Sequence, residues 1–202
     1  MYGIGRITWD VEKNLWDRGY RYLAGIDEAG RGALAGPVVA AVIVLPPYVE
    51  IPRVDDSKRL RRTVRELLYA QIQSLAMSIG VGIVAAETID QVNIRQATLK
   101  AMMAALQDAA QDVEYLLIDG HDTVPLPLSQ RAIARGDQTV GSIAGASIIA
   151  KVTRDRLMDT MEQQYPGYGF AQHKGYGTVA HLQAIRQYGP CVIHRRTFRG
   201  VM

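Results

Sequence analysis

The stretch YRYLAGIDEAGRGALAGPVVAAVIVL, residues 20–45, limits the fold more than any other part of the chain. Two apolar runs flank a turn bearing Gly30, Gly32 and Gly36, so strands are predicted at 20–26 and 37–45. Asp27 and Glu28 stand where the first run gives out. Acidic side chains at the end of a buried strand, beside bare backbone N–H groups and Arg31, suit a metal-assisted reaction on a phosphate.

The remaining pattern supplies helices for such a sheet. A short helix is predicted over 11–19. Ser57 caps another reaching residue 74, with Leu60, Val64, Leu67, Leu68 and Ile72 at helical spacing. Residues 77–86 read as a third strand, and Asp90 caps a long helix to about residue 110. The wholly apolar run 115–118 is a strand buried on both faces, stopping at Asp119-Gly120. A weaker strand over 131–134 leads to Gly136-Asp137 and a helix over 141–164, with Ala146, Ala150, Leu157 and Met161 along one side. Residues 165–177 form a turn region, Thr178 caps a last helix to residue 187, and the tail is irregular.

With 202 residues, 48% apolar and 21% charged, and no repeat or linker, the chain reads as one α/β domain built on a mixed sheet. The longest apolar stretch, 38–45, is far below a membrane span. The first twenty residues carry Asp10, Glu12, Lys13, Asp17 and Arg18 and no signal-like run. Cys191 is alone, which excludes an internal disulfide and fits a reducing compartment. A soluble cytoplasmic protein is expected, with no membrane partner.

Three strands then end in acid: Asp27 with Glu28, Asp119, and Asp137. Ligands of open α/β sheets collect at the carboxyl ends of strands, so these side chains can converge. Four close carboxylates repel one another unless a cation neutralises them. Oxygen-only ligation suits Mg²⁺ or Mn²⁺, and no Cys or His set has zinc spacing. The period of two throws Asp27 and Glu28 to opposite faces, so both serve only if the backbone bends at Glu28. Taken singly, each acid also reads as a turn or cap residue. Residues 25–32 are no P-loop, because Arg31-Gly32 stands where Lys and Ser/Thr are required.

Net charge is only +3, yet residues 166–202 contain no acid while Lys174, Arg186, Arg195, Arg196 and Arg199 are basic. Arg53, Lys58, Arg59, Arg61, Arg62 and Arg65 form a second cluster. The two patches read either as a polyanion-binding surface or as ordinary solvated surface. His173, His181 and His194 read as solvated or phosphate-facing, and Tyr165, Tyr168 and Tyr176 as local packing or a face for a sugar or base.

GIDEAGRG (25–32), LAGPVVAA (34–41), DSKRL (56–60), IDQVNIRQAT (89–98), LLIDG (116–120), GD (136–137), SIAGASIIAKVTRD (142–155), YPGYGFAQHKGYGT (165–178) and HRRTF (194–198) together resemble bacterial ribonuclease HII, in family order over nearly the whole chain. Ribonuclease HIII, with an extra N-terminal domain and a different acidic motif, matches less well. The resemblance implies an RNase H-like fold, a mixed five-stranded sheet flanked by helices with a C-terminal helical, basic extension over roughly 166–202. It implies a monomeric endonuclease that hydrolyses the RNA strand of RNA–DNA hybrids. It further implies cutting 5′ of single ribonucleotides in duplex DNA, as in ribonucleotide excision repair. Two divalent ions, Mn²⁺ or Mg²⁺, would assist, leaving 5′-phosphate and 3′-OH ends. By family pattern Asp27, Glu28, Asp119 and Asp137 are the catalytic, metal-holding acids. Gly30, Arg31 and Gly32 approach the ribonucleotide, Tyr176 packs on its sugar, and Lys58 contacts phosphate. The chain departs from the pattern at Ala33, where Pro is frequent, and at Gly145, where Ala is usual. Alternatives from other classes are a resolvase or transposase-type DNA nuclease and a binding module without chemistry.

Overall fold

The structure is a computed structural model that describes residues 7–110 and 112–202. Strands β1 (Leu23–Ala29) and β2 (Val38–Leu45) form the antiparallel hairpin, and β3 (Ser78–Val84) extends it antiparallel on the far side of β2. On the other side of β1, strands β4 (Tyr115–Asp119) and β5 (Ser129–Ile133) add in parallel, giving the order β3-β2-β1-β4-β5. The mixed five-stranded sheet is therefore present, and β2, buried at all eight positions, needs to be apolar on both faces.

Helices α1 (Asp10–Asp17), α2 (Arg62–Leu75) and α4 (Gly141–Gln164) share one core with alternate residues of the sheet: Leu23, Ile43, Leu45 and Leu117. Helix α3 (Ala86–Asp108) closes the opposite face over Ala24, Ile26, Val42 and Leu116. The start of α4 lies against β1 because Gly25 is bare: a Cβ there would come within 2.3 Å of the Ser142 backbone. Helices α5 (Phe170–His173) and α6 (Val179–Tyr188) complete the C-terminal part, where a turn region alone is predicted over 165–177.

Several boundaries differ from the pattern-based ones. Strand β1 continues through Ala29 and does not stop at residue 26, because β2 offers partners throughout: Asp27 opposes Ala41, Glu28 Ala40 and Ala29 Val39. Asp90 is inside α3. Its carboxylate accepts the N–H groups of Arg196 and Thr197 and the Thr197 hydroxyl, anchoring the tail. Helix α3 instead kinks at Asn93 (φ 67°), whose side chain accepts the Gln96 N–H at 3.1 Å and so starts the second segment. Ser57 caps nothing; its hydroxyl bonds Ser147 at 2.9 Å, while α2 begins at Arg62. Thr178 does cap α6, accepting the His181 N–H.

Both departures from the family pattern have a local reason. The Ala33 N–H donates to the Gly30 carbonyl at 3.2 Å, a bond that proline would forfeit. At Gly145 a Cβ would fall 2.6 Å from the Cδ1 atoms of Ile43 and Ile51, which fill the space an alanine methyl would take.

Candidate active site

The β1–β4 ladder ends at the pair Ile26–Ile118, so Asp27 and Asp119 stand side by side one step beyond it. Strand alternation puts both on the α4 face, with Leu23 and Leu117. Asp137 enters from a 3₁₀ turn, Gly136–Gln138, that follows β5; its N–H donates to Asp119 Oδ1 at 3.2 Å. One carboxylate oxygen from each of Asp27, Asp119 and Asp137 lies within 4.8 Å of the others. Asp27 and Asp137 are 3% exposed, which leaves little water to disperse that charge.

Glu28 is one position along, where strand alternation puts it on the α3 face with Ala24 and Ile26. It lies 3.6 Å from Arg31 and shares a small recess with Arg31, Arg95, Thr98, Asp119 and Asp122. Pairing with β2 continues past Glu28 to Ala29, and the Glu28 carboxylate lies beside the trio instead of within it.

Burial raises the Asp27 carboxyl well above the ordinary carboxylate range, with the charges of Glu28 and Asp119 adding to it. Burial likewise raises Glu28, against the lowering pull of Arg31, and burial with the Asp137 charge raises Asp119. Among the described residues the ion-pair partner of the trio is Lys58, whose Nζ donates to Asp137 Oδ2 at 2.8 Å. Burial lowers the Lys58 pKa, and the hydrogen bond and charge of Asp137 outweigh it and raise the value overall. Compressed, buried, oxygen-only donors with raised pKa values have the chemistry of a hard divalent-cation site.

Beside the acids, a cleft of about 590 Å³ is lined by Glu28, Gly30, Arg31, Gly32, Ser57, Lys58, Arg65, Ser147, Lys151 and Tyr176. All five residues expected to contact nucleic acid, Gly30, Arg31, Gly32, Lys58 and Tyr176, therefore line one cleft. The basic patches are less available than their composition indicates. Lys174 is buried and paired with Asp159, Arg62 bonds Asp159 at 2.9 Å, and Arg195 is fully buried.

The buried, backbone-bracing places of Arg154 and Arg195 escaped the sequence reasoning, which read Arg195 only as part of the basic tail. Arg154 donates to the carbonyls of Pro37, Lys174 and Ala35, and Arg195 to those of Gly36 and Arg31. Gly30 rests directly on Arg154, whose Nε would be 1.9 Å from a Cβ at that position. Burial lowers both guanidinium pKa values, that of Arg195 to about 9 with the charge of Arg154 contributing. A signal was present: position 154 continues the inward stripe of Ala146, Ala150, Leu157 and Met161, so an arginine there points into the protein.

A five-stranded mixed sheet in this order, with acids at neighbouring strand ends, defines the ribonuclease H-like class of hydrolases. A family model described as Ribonuclease HII matches residues 24–201. Ribonuclease HII of Geobacter sulfurreducens is 56% identical over 194 residues, covering 96% of this chain and 89% of the relative. Ribonuclease HII of Caldanaerobacter subterraneus is 49% identical, over 93% and 78%. Among solved structures, ribonuclease H2 from Pyrococcus horikoshii superposes with a TM-score of 0.75 at 27% identity, over 89% of this chain and 94% of that one. The crystal structure of Bst-RNase HIII in complex with Mn²⁺ shares the fold, with a TM-score of 0.64 at 17% identity over 91% and 68%. The chain belongs to the ribonuclease HII family. It is an endoribonuclease of the ribonuclease H type, acting on the RNA strand of RNA–DNA hybrids, and the family depends on divalent metal. No helix among the described residues is long and apolar enough to cross a membrane.

Proposed function

We propose that the enzyme cuts single ribonucleotides embedded in duplex DNA as well as longer hybrids, on the 5′ side of the ribonucleotide. The observation that carries this is one cleft in which Gly30, Arg31, Gly32 and Tyr176 adjoin the trio of Asp27, Asp119 and Asp137. Asp27, Asp119 and Asp137, with Glu28 alongside, are the residues that would hold Mg²⁺ or Mn²⁺. When bound, two such ions supply Lewis-acid stabilisation to the attacking water and to the leaving oxygen.

The chain's own residues do the selecting. A ribonucleotide within DNA differs at a 2′-OH that both donates and accepts, and bare backbone at Gly30 and Gly32 reaches the minor groove without a side chain in the way. Tyr176, 37% exposed, offers its ring to the sugar. Lys58, held at Asp137, and Arg31, held at Glu28, put positive charge where a phosphate would enter. The 2′-OH serves as a recognition handle and not as the nucleophile, so the products carry 5′-phosphate and 3′-OH ends.

Duplexes with no, one or several ribonucleotides, incubated with Mg²⁺, Mn²⁺ or EDTA, test this. Cutting confined to ribonucleotide-containing duplexes with either metal is expected. Equal cutting of all-DNA duplex would point to a resolvase-type nuclease, binding without cutting to a module, and a 2′,3′-cyclic phosphate would overturn the water-attack chemistry.

A further inference from the structure

Tyr176 sits between α5 and α6, on a segment whose three consecutive carbonyls are all tied inward. The Lys174 carbonyl accepts from Arg154 Nη1 at 2.9 Å. That of Gly175 accepts the N–H groups of Leu34 and Ala35, at 2.8 and 3.3 Å, which joins the segment to the glycine turn. That of Tyr176 accepts the Thr178 N–H at 2.8 Å and His181 Nδ1 at 3.0 Å. With the backbone fastened below, the aromatic ring is left on the cleft side, 5.5 Å from the Arg154 guanidinium carbon.

The imidazole contact is specified further than packing requires. A carbonyl only accepts, so His181 carries its proton on Nδ1 and its Nε2 is an acceptor. His194 Nε2, 3.1 Å away, must then be the donor. The remaining nitrogen, His194 Nδ1, accepts the Cys191 N–H at 3.0 Å and faces Cys191 Sγ at 3.1 Å. His173 stacks on His181 with centroids 4.3 Å apart, accepts the Gly175 N–H on Nδ1 and donates from Nε2 to the Tyr168 carbonyl. Each ring nitrogen has one role, and His181 and His194 are neutral. His181 and His194 are buried, which corrects the sequence-based reading of solvated or phosphate-facing histidines. A metal role fails too: among the described residues the acidic trio alone brings three ligand atoms within 4.8 Å.

We propose that His181, backed by His194 and Cys191, is a positioning residue that sets Tyr176 against the ribonucleotide and thereby tunes selectivity for a single ribonucleotide over a long hybrid. The proposal rests on the assignment of Tyr176 to the sugar of the substrate. A long hybrid makes repeated contacts along the cleft, whereas an isolated ribonucleotide depends on one correctly placed ring.

His181→Phe keeps the ring shape and removes both hydrogen bonds; His181→Asn restores a donor toward the Tyr176 carbonyl. Loss of the bond to the Tyr176 carbonyl, the one that holds the ring's segment, predicts about a tenfold drop in kcat on a single-ribonucleotide duplex for His181→Phe, with KM and long-hybrid cleavage changed less. His181→Asn should recover most of that drop, and amide exchange over residues 174–178 should accelerate in the Phe variant alone. Equal losses on both substrates with a lowered Tm, or an unchanged substrate ratio, would overturn the proposal. Should His181→Phe not fold, His194→Asn, which withdraws only the support, should shift the ratio about threefold, and no shift overturns it equally. Tyr176→Ala separates the two levels. If it leaves the ratio intact, the assignment of Tyr176 fails; if it moves the ratio while the histidine variants do not, only the positioning role fails.

Discussion

Beneath the glycine turn lie Arg154 and Arg195, two buried cations whose donors all end on backbone carbonyls. At the neighbouring strand ends Asp27, Asp119 and Asp137 crowd together, and Lys58 is their one ion-pair partner among the described residues. Both regions bury like charges. The cations are satisfied by the chain itself, so they brace the turn in every state of the protein. The carboxylates are not, and burial and mutual repulsion raise the pKa values of Asp27 and Asp119, the electrostatics expected of acids that await a cation. One region is complete as folded, and its neighbour, on the proposed metal role of the acids, is complete only when loaded.

The largest effect should come from the incomplete region. Asp27→Asn preserves shape and removes a ligand, so turnover should fall about a thousandfold and the rise in Tm produced by Mn²⁺ should vanish. Normal turnover in that variant would break the contrast outright. On the complete side, Arg154→Met strands three carbonyls and should cost about 3 kcal/mol in a urea titration, with or without metal. An unchanged urea midpoint would show that the guanidinium braces nothing.

A smaller effect follows from the imidazoles. Burial lowers the His181 pKa to about 4 from an ordinary 6.5, against a raising bond to the Tyr176 carbonyl. The unfolded chain therefore takes up the proton first. The stability contribution is whole above pH 6.5, is lost as pH falls toward 4, and levels off below. Denaturation midpoints of the metal-free protein at pH 7.5 and 4.5 should differ more than those of His181→Phe; equal differences would remove the neutral-ring requirement. The smallest effect belongs to Lys58→Ala, which should reduce the slope of log affinity against log salt by about 1. A steeper slope would mean that Lys58 acts through Asp137 and not on phosphate.

The mixed sheet and the acids at three strand ends, Asp27, Asp119 and Asp137, were legible because both show in local pattern: segments of strand length, three of them followed by an acid. What the sequence hid depended on distant partners. Asp90 has the look of a helix cap and serves as an anchor for residues 196 and 197, which no local window can reveal. The tail read as either polyanion-binding or solvated surface because its basic residues have no acid nearby in sequence. Arg195 is instead neutralised by carbonyl dipoles from residues 31 and 36. The histidines lost their solvent through aromatic neighbours, Phe170 and Tyr168, that periodicity does not pair with them.

The bonds from Arg195 to the glycine turn join positions 159 and 164 residues apart. During synthesis the hairpin can form early from its own strands, yet the bend between them waits for a residue made much later. On the role proposed for the glycine turn, the nascent protein gathers its first acids long before the means to recognise a nucleotide, and the ability to choose a substrate arrives among the last steps of folding.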